Sequence, residues 1–255
     1  MAVVARFLDQ PLVLHHVDHG LREGSDREAQ LVADLAAQLD AEFVAHAISL
    51  DAGPNLEARA REARFSVLPR GVATGHTADD RAATIIINLL RGAGSRGLSA
   101  LRAGPNHPIL DLRRAETVGL CKQLDLTCVV DPTNSSTDVL RNQVRMQLLP
   151  RMEDLANRDV VQLLNRSATL LGEEDAYLDE LALTAIPDAT DLRVLRSAPP
   201  VLASRRLRQL LAVNGYAPSV AELDRVLQVV QGEVLACEVA GGRRVTRAAQ
   251  HLVVT

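Results

Sequence analysis

The three cysteines of this 255-residue chain, Cys121, Cys128 and Cys237, form no CxxC pair and no zinc-like cluster. That excludes a disulfide framework and a cysteine-ligated metal, and predicts reduced, mostly buried thiols with no redox role. Lysine is rarer still, with Lys122 alone among the basic residues and arginine everywhere else. No apolar run approaches the roughly 20 residues of a membrane-spanning helix, and the N-terminus lacks the charged-then-apolar layout of a signal peptide. The expectation is a cytoplasmic protein without a membrane partner.

What is present is ample apolar material. At 47% hydrophobic residues the chain can bury a real core as one large domain or two small ones. The net charge of -4 argues against a nucleic-acid partner only as an average, because residues 193–255 carry nine arginines against four acids. Guanidinium suits bidentate phosphate contact, although a solvated surface explains the same bias.

The apolar periodicity predicts alternating strands and helices in the first half. Strands are expected at 12–17, 42–50, 71–74 and 127–130, and helices at 2–8, 25–39, 55–68, 78–90 and 116–124. Ser25 and Glu28 have the spacing of a capping box. Ile85, Ile86, Ile87, Leu89 and Leu90 imply deep burial of the helix that carries them. Such alternation predicts an α/β fold with a parallel sheet covered on both faces, whose ligands sit at the C-terminal ends of the strands. Beyond Pro132 only helices are expected, at 140–153, 160–183, 202–214 and 219–231, before a terminal hairpin around Gly241-Gly242. The long helix from Val160 reads as a spacer between domains. The expected domains are 1–138 and 139–255.

Four segments carry polar groups that could do chemistry. His16-Val17-Asp18-His19-Gly20-Leu21-Arg22 closes a strand; His15 and His19 lie four apart there, a spacing that joins two metal ligands on a helix but not on a strand. Gly75-His76-Thr77-Ala78-Asp79-Asp80 opens a helix with two carboxylates in its first turn. Capping by Thr77 or Asp79 accounts for one acid, whereas two beside a histidine suit a magnesium-bound polyphosphate. Arg91-Gly92-Ala93-Gly94, with Gly97, leaves that helix through a flexible basic turn. Asp131-Pro132-Thr133-Asn134 and Arg141-Asn142-Gln143-Val144-Arg145 follow the last strand, where a turn and a solvated helix face are the default.

In this order the segments resemble the tRNA(Ile)-lysidine synthetases, a family of PP-loop ATPases, over essentially the whole chain. The matching pieces are HVDHGLR with Ser25 and Glu28-Ala29, Asn55 with Ala60-Arg61 and Arg64-Phe65, GHTADD, INLLRGAG with Gly97-Leu98, Pro108-Ile109-Leu110 before Arg113-Arg114, DPTN, and RNQVR with Leu149-Pro150. The resemblance implies a Rossmann-like sheet of the adenine nucleotide alpha hydrolase type and a helical tRNA-binding extension with a basic tail. It implies a ligase that uses ATP and Mg2+ to adenylate the wobble cytidine of a tRNA(Ile) with a CAU anticodon. The side-chain amine of L-lysine then displaces AMP to leave lysidine.

By the same resemblance, Asp80 and Asp79 would hold Mg2+ and pyrophosphate or receive the lysine amine, and His76 would lie beside the adenylate. Arg61 and Arg91 would meet phosphate or the target base. Asp18, His19, Gly75, Gly92 and Gly94 would border the nucleotide. Arg141, Asn142 and Arg145 would contact tRNA, with Arg205, Arg206 and Arg208 at longer range. Two departures stand out. No SGGxDS, the family's phosphate-cradling loop, occurs in the sequence, so the chain reads as starting at an internal methionine and is expected to be poorly stable and inactive as written. Ala83 stands where the family commonly has an acid, and Arg81 where glutamine is usual. A tRNA-binding remnant without catalysis and a different PP-loop tRNA-activating enzyme both stay open, as does a homodimer.

Overall fold

The computed structural model describes all residues except 8, 9, 19, 21–24, 52, 54, 55, 129–138 and 214–216. Two compact units divide the chain, 1–169 and 170–255, with the division inside one long helix. The expected boundary near Asp138 falls outside the described residues.

The first unit begins with α1 (Ala2–Phe7), β1 (Val13–Asp18), α2 (Ser25–Gln38), β2 (Glu42–Ala47) and α3 (Leu56–Val67). β1 and β2 pair in parallel, from Val13 opposite Glu42 to Asp18 opposite Ala47, and α2 lies against both. Neither strand holds a fully buried residue, and Val13 is 47% exposed. The expected sheet, covered on both faces, is thus a half-buried two-stranded ribbon among the described residues. Among the described residues each strand has a single neighbour, so its other edge is unpaired there. Gly71–Thr74 forms no strand: the Thr74 amide donates instead to the Asn106 carbonyl at 2.8 Å, a single contact rather than a ladder. Thr127 and Cys128 are also irregular, and Val129 and Val130 lie outside the described residues, as do Asn55 and Asp131 to Asn134.

The core of this unit forms around α4 (Ala78–Leu90), whose bounds match the expectation. Ala78, Ala82, Ala83, Ile86 and Ile87 pack against Val144, Leu149 and Val161. Leu89 and Leu90 depart from expectation at 57% and 63% exposed, lying on the last turn of α4 beyond Ile87, the last residue it gives to this buried cluster. Next come α5 (Ser95–Leu98) and α6 (Arg114–Gln123). The helix expected at 140–153 is α7 (Leu140–Gln143), a π turn (Val144–Leu148) and α8 (Leu149–Ala156). Pro150 explains the interruption: it offers no N–H to the Met146 carbonyl and its ring crowds that oxygen, so the turn before it widens.

α9 (Val160–Ala185) leads into the second unit, where α10 (Leu192–Ser197), α11 (Pro200–Leu211) and α12 (Val220–Gln231) enclose a dense core. Ile186, Leu207, Val226, Val229 and Val245 are at most 1% exposed there. α10 escaped the periodicity because it is six residues long, although Asp191 caps it by accepting the Arg193 amide at 2.9 Å. The expected hairpin is a three-stranded antiparallel sheet of β3 (Ala236–Val239), β4 (Arg243–Ala248) and β5 (His251–Val254). Its second turn runs through Ala249 and Gln250 at φ 46° and 66°, a conformation usually signalled by Asn or Gly. Among the described residues no helix is long and apolar enough to cross a membrane.

Candidate functional site

The start of α4 is fixed from three directions. Its first amide, Ala78 N–H, donates to the Leu112 carbonyl at 2.9 Å, and Asn165 Nδ2 donates to the Ala78 carbonyl at 3.1 Å. Thr77 is the N-cap residue, and Asp80 Oδ2 accepts from both its amide and its hydroxyl at 3.0 Å. This carboxylate therefore closes the helix N-terminus, where the macrodipole favours negative charge.

The two adjacent acids then part company. Asp79 Oδ1 accepts from Arg113 Nε at 3.2 Å and Oδ2 from the Arg114 amide at 2.6 Å. Arg113 also pairs with Asp159 at 2.6 Å and Glu153 at 3.6 Å, and these carboxylates hold its guanidinium above its ordinary pKa despite burial. Asp79 thus ties α4 to α6. Asp80 keeps Oδ1 for Arg141 Nη2, at a long 3.3 Å. Burial raises the Asp80 pKa, but the Thr77 amide, Arg141, the Thr77 hydroxyl and Arg145 together bring it below the usual carboxylate range.

His76 is half-buried beside this carboxylate. Its Nδ1 lies 2.7 Å from Thr74 Oγ1, and its ring meets His107 edge-on at 5.1 Å. Burial pushes its pKa down; Asp80 opposes that, while His107, Arg141 and Arg61 add to it. Arg145, in the π turn, has its pKa lowered by burial and by Arg114, against the pull of Asp80. Arg61 stacks over Phe65 at 5.0 Å, and Arg64 over the same ring at 5.5 Å. Arg113 neutralises Asp79, Arg141 bonds Asp80, Arg145 feels both acids, and Arg61 acts on His76. Such an excess of guanidinium suits a polyanion.

Other expected site residues lie elsewhere. Arg91 caps the far end of α4, eleven residues from Asp80 and so roughly 16 Å along the axis. Gly92 closes that helix at φ 73°, Gly94 precedes α5, and the Gly97 carbonyl accepts from Asn88 Nδ2 at 2.7 Å. This Gly-rich turn is built as a helix end. Gly75 has open space where a Cβ would stand. Asp18 Oδ1 accepts the Gly20 amide at 2.9 Å in a turn after β1, and His19 and Arg22 lie outside the described residues. The side chain of Ser25 also lies outside them, so the expected capping box goes undescribed.

Asn142 is buried, 7% exposed. In the second unit Arg205 bonds Asp175 at 2.7 Å and Asp179 at 2.8 Å, and Arg206 donates to the Ile186 and Pro187 carbonyls. Arg196, Arg225, Arg243 and Arg247 likewise donate to backbone carbonyls, and Arg193 pairs with Asp191. Of the nine arginines in 193–255, only Arg208 and Arg244 keep guanidinium groups without such a partner among the described residues.

Sequence reasoning missed Thr74, His107 and Arg113 as members of the site; Arg113-Arg114 after an apolar run was the available signal for the last. A separate cavity of about 490 Å³ is lined by His16, Leu31, Leu35, Cys121, Leu126 and Cys128 and shares no residue with the Asp80 cluster. Cys128 is exposed there, contrary to the expectation of buried thiols. Among the described residues no three His, Cys, Asp or Glu side chains converge on a metal position.

Residues 1–152 match the PP-loop domain family. The chain is 38% identical over 242 residues to the tRNA(Ile)-lysidine synthase of Nocardia farcinica, covering 89% of this chain and 74% of that one. For the enzymes of the same name from Rhodococcus erythropolis and Cutibacterium acnes the identities are 35% and 34%, with 89% of this chain and 73% and 76% of theirs covered. Among solved structures, the U34-tRNA thiolase NcsA from Methanococcus maripaludis with its [4Fe-4S] cluster shares the fold, at TM-score 0.53 and 17% identity over 67% of each chain. With a PP-loop domain over its first 152 residues and relatives this similar over most of its length, the chain belongs to the tRNA(Ile)-lysidine synthase family of ligase-type enzymes.

Proposed function

We propose that this protein joins L-lysine to C2 of the wobble cytidine of tRNA(Ile) with a CAU anticodon, at the expense of ATP, in the cytoplasm. The observation that carries the reading is the Asp80 cluster: a carboxylate at a helix start, a neutral-leaning histidine and three arginines, in a chain of this family. In the first step the cytidine O2 attacks the α-phosphorus, the bond to pyrophosphate breaks, and O2 becomes part of a leaving group. In the second the lysine Nζ bonds to C2, the C2–O2 bond breaks, AMP departs, and the amine gives up a proton.

Arg61, Arg141 and Arg145 supply the charge that draws the polyphosphate and the tRNA backbone and stabilises negative charge as it shifts. Asp80 receives the ammonium of lysine or a cation. Magnesium binds proteins through one or two carboxylates alongside phosphate oxygens. Asp80 Oδ1, with its long contact to Arg141, fits that role, whereas both oxygens of Asp79 are already engaged. When bound, the ion would neutralise phosphate charge during adenylation. tRNA contact rests on Arg141, Arg145 and Arg208, since Arg205 and Arg206 are held internally and Asn142 is buried.

The test is lysidine formation from transcribed tRNA(Ile), ATP and radiolabelled lysine. The Asp80→Asn variant is expected to lose about 10²–10³ in rate, the scale of one electrostatic contact to developing charge. A protein that binds this tRNA but makes no lysidine would overturn this reading in favour of a non-catalytic tRNA-binding member.

A further inference from the structure

Thr74 holds more partners than one hydroxyl can satisfy in every arrangement. Its Oγ1 lies 2.7 Å from His76 Nδ1, 2.9 Å from His107 Nδ1 and 3.2 Å from the Asn106 carbonyl, which also accepts the Thr74 amide at 2.8 Å. A hydroxyl has one proton to give and two lone pairs to accept with. The two imidazoles therefore cannot both present bare Nδ1 lone pairs to it, and at least one must be an Nδ1–H donor.

The distances sort the roles. The shortest of the three contacts, 2.7 Å to His76 Nδ1, is assigned the single hydroxyl proton, and the next, 2.9 Å, the proton accepted from His107. The Thr74 hydroxyl accordingly donates to His76 Nδ1 and accepts from His107 Nδ1–H, while the Asn106 carbonyl is served by the Thr74 amide. With Nδ1 accepting, a neutral His76 carries its proton on Nε2. No described residue bonds that Nε2, and Asp80, Arg141 and Arg61 are the charged groups close enough to bias the ring.

We infer that Thr74 and His107 are positioning residues, a relay from His107 Nδ1–H through the Thr74 hydroxyl that holds His76 as the Nε2–H tautomer. On the lysidine-forming reading above, His76 thereby meets the nucleotide as a hydrogen-bond donor suited to a phosphate oxygen and not as a base. The edge-on packing of the two rings keeps the relay in register. Burial lowers the pKa of both histidines, which favours the neutral rings the relay needs.

Two measurements test this on the full chain. Long-range ¹H–¹⁵N spectra without substrate read the tautomers directly. The expected result is Nε2–H for His76 and Nδ1–H for His107, with Thr74→Val giving a tautomer mixture at His76 and Thr74→Ser restoring the pure form. His107→Asn, which keeps a donor, is expected to preserve the His76 tautomer, and His107→Phe to lose it. The second measurement is the single-turnover adenylation rate, expected to fall about tenfold in Thr74→Val, as for one lost hydrogen bond, with KM for ATP and lysine within twofold. Thr74→Ser should recover the rate. An Nδ1–H tautomer at His76 in the wild type, or an unchanged His76 spectrum in both Thr74→Val and His107→Phe, overturns the proposal. The spectra need no reaction, so a protein with the expected tautomers but no lysidine would sink the functional reading and leave the relay standing.

Discussion

Seven of the nine arginines of the unit 170–255 bond its own backbone or acids, whereas the unit 1–169 gathers Arg61, Arg141 and Arg145 about His76 and Asp80. The same contrast runs through the packing. Among the described residues the second unit has a three-stranded sheet and a large buried cluster, while the first has a half-buried two-stranded ribbon and a smaller buried cluster around α4. Guanidinium is a structural clamp where carbonyls and acids surround it, and a ligand for phosphate where they do not. Counting basic residues in a sequence cannot separate these uses.

The contrast breaks most visibly at Arg205. Arg205→Ala removes the guanidinium that bonds Asp175, a carboxylate only 1% exposed, and so breaks a buried ion pair. It is expected to cost about 3–5 kcal/mol in urea unfolding while tRNA affinity per folded molecule stays unchanged. Weakened tRNA binding with full stability would show that this arginine serves the ligand. A smaller effect is expected within the pair of adjacent acids. Asp79→Asn loosens the clamp to Arg113 and α6 and should cost about 2 kcal/mol, with lysidine formation retained, the reverse of Asp80→Asn. Equal loss of activity in both variants would merge the two roles.

The smallest effect is in acid. The Asp80 pKa is lower in the folded chain than in the unfolded one, so the folded state binds fewer protons there. Its contribution to stability is full above roughly pH 4 and is lost as pH falls through the folded value. Asp80→Asn should flatten that acid limb below about pH 4. A limb as steep as the wild type would place the proton elsewhere.

Much of this arrangement was legible in the sequence, for reasons that differ from element to element. α4 was bounded correctly because Thr77 and Asp80 cap it and Ile86 and Ile87 give it a buried face. The strand expected at 71–74 was not found, since an apolar run specifies a strand only where a neighbouring ladder accepts it, and Thr74 bonds Asn106 instead. β5 was missed because Ala249 and Gln250 turn at positive φ without the residues that announce it. In the site, the family motifs located His76, Asp79 and Asp80 together, but nothing local to GHTADD says which acid Arg113 claims, 34 residues later. Thr74 and His107 were invisible for the same reason, being 33 residues apart.

The single lysine, Lys122, sits exposed on α6. In the proposed chemistry an activated cytidine waits for an amine, and any amine on the protein is a rival nucleophile that would tether the tRNA to its own enzyme. Arginine, protonated throughout the physiological range, attracts phosphate without offering that attack. On the proposed reading, a positive surface that is guanidinium everywhere but at Lys122 would keep the intermediate for the free amino acid.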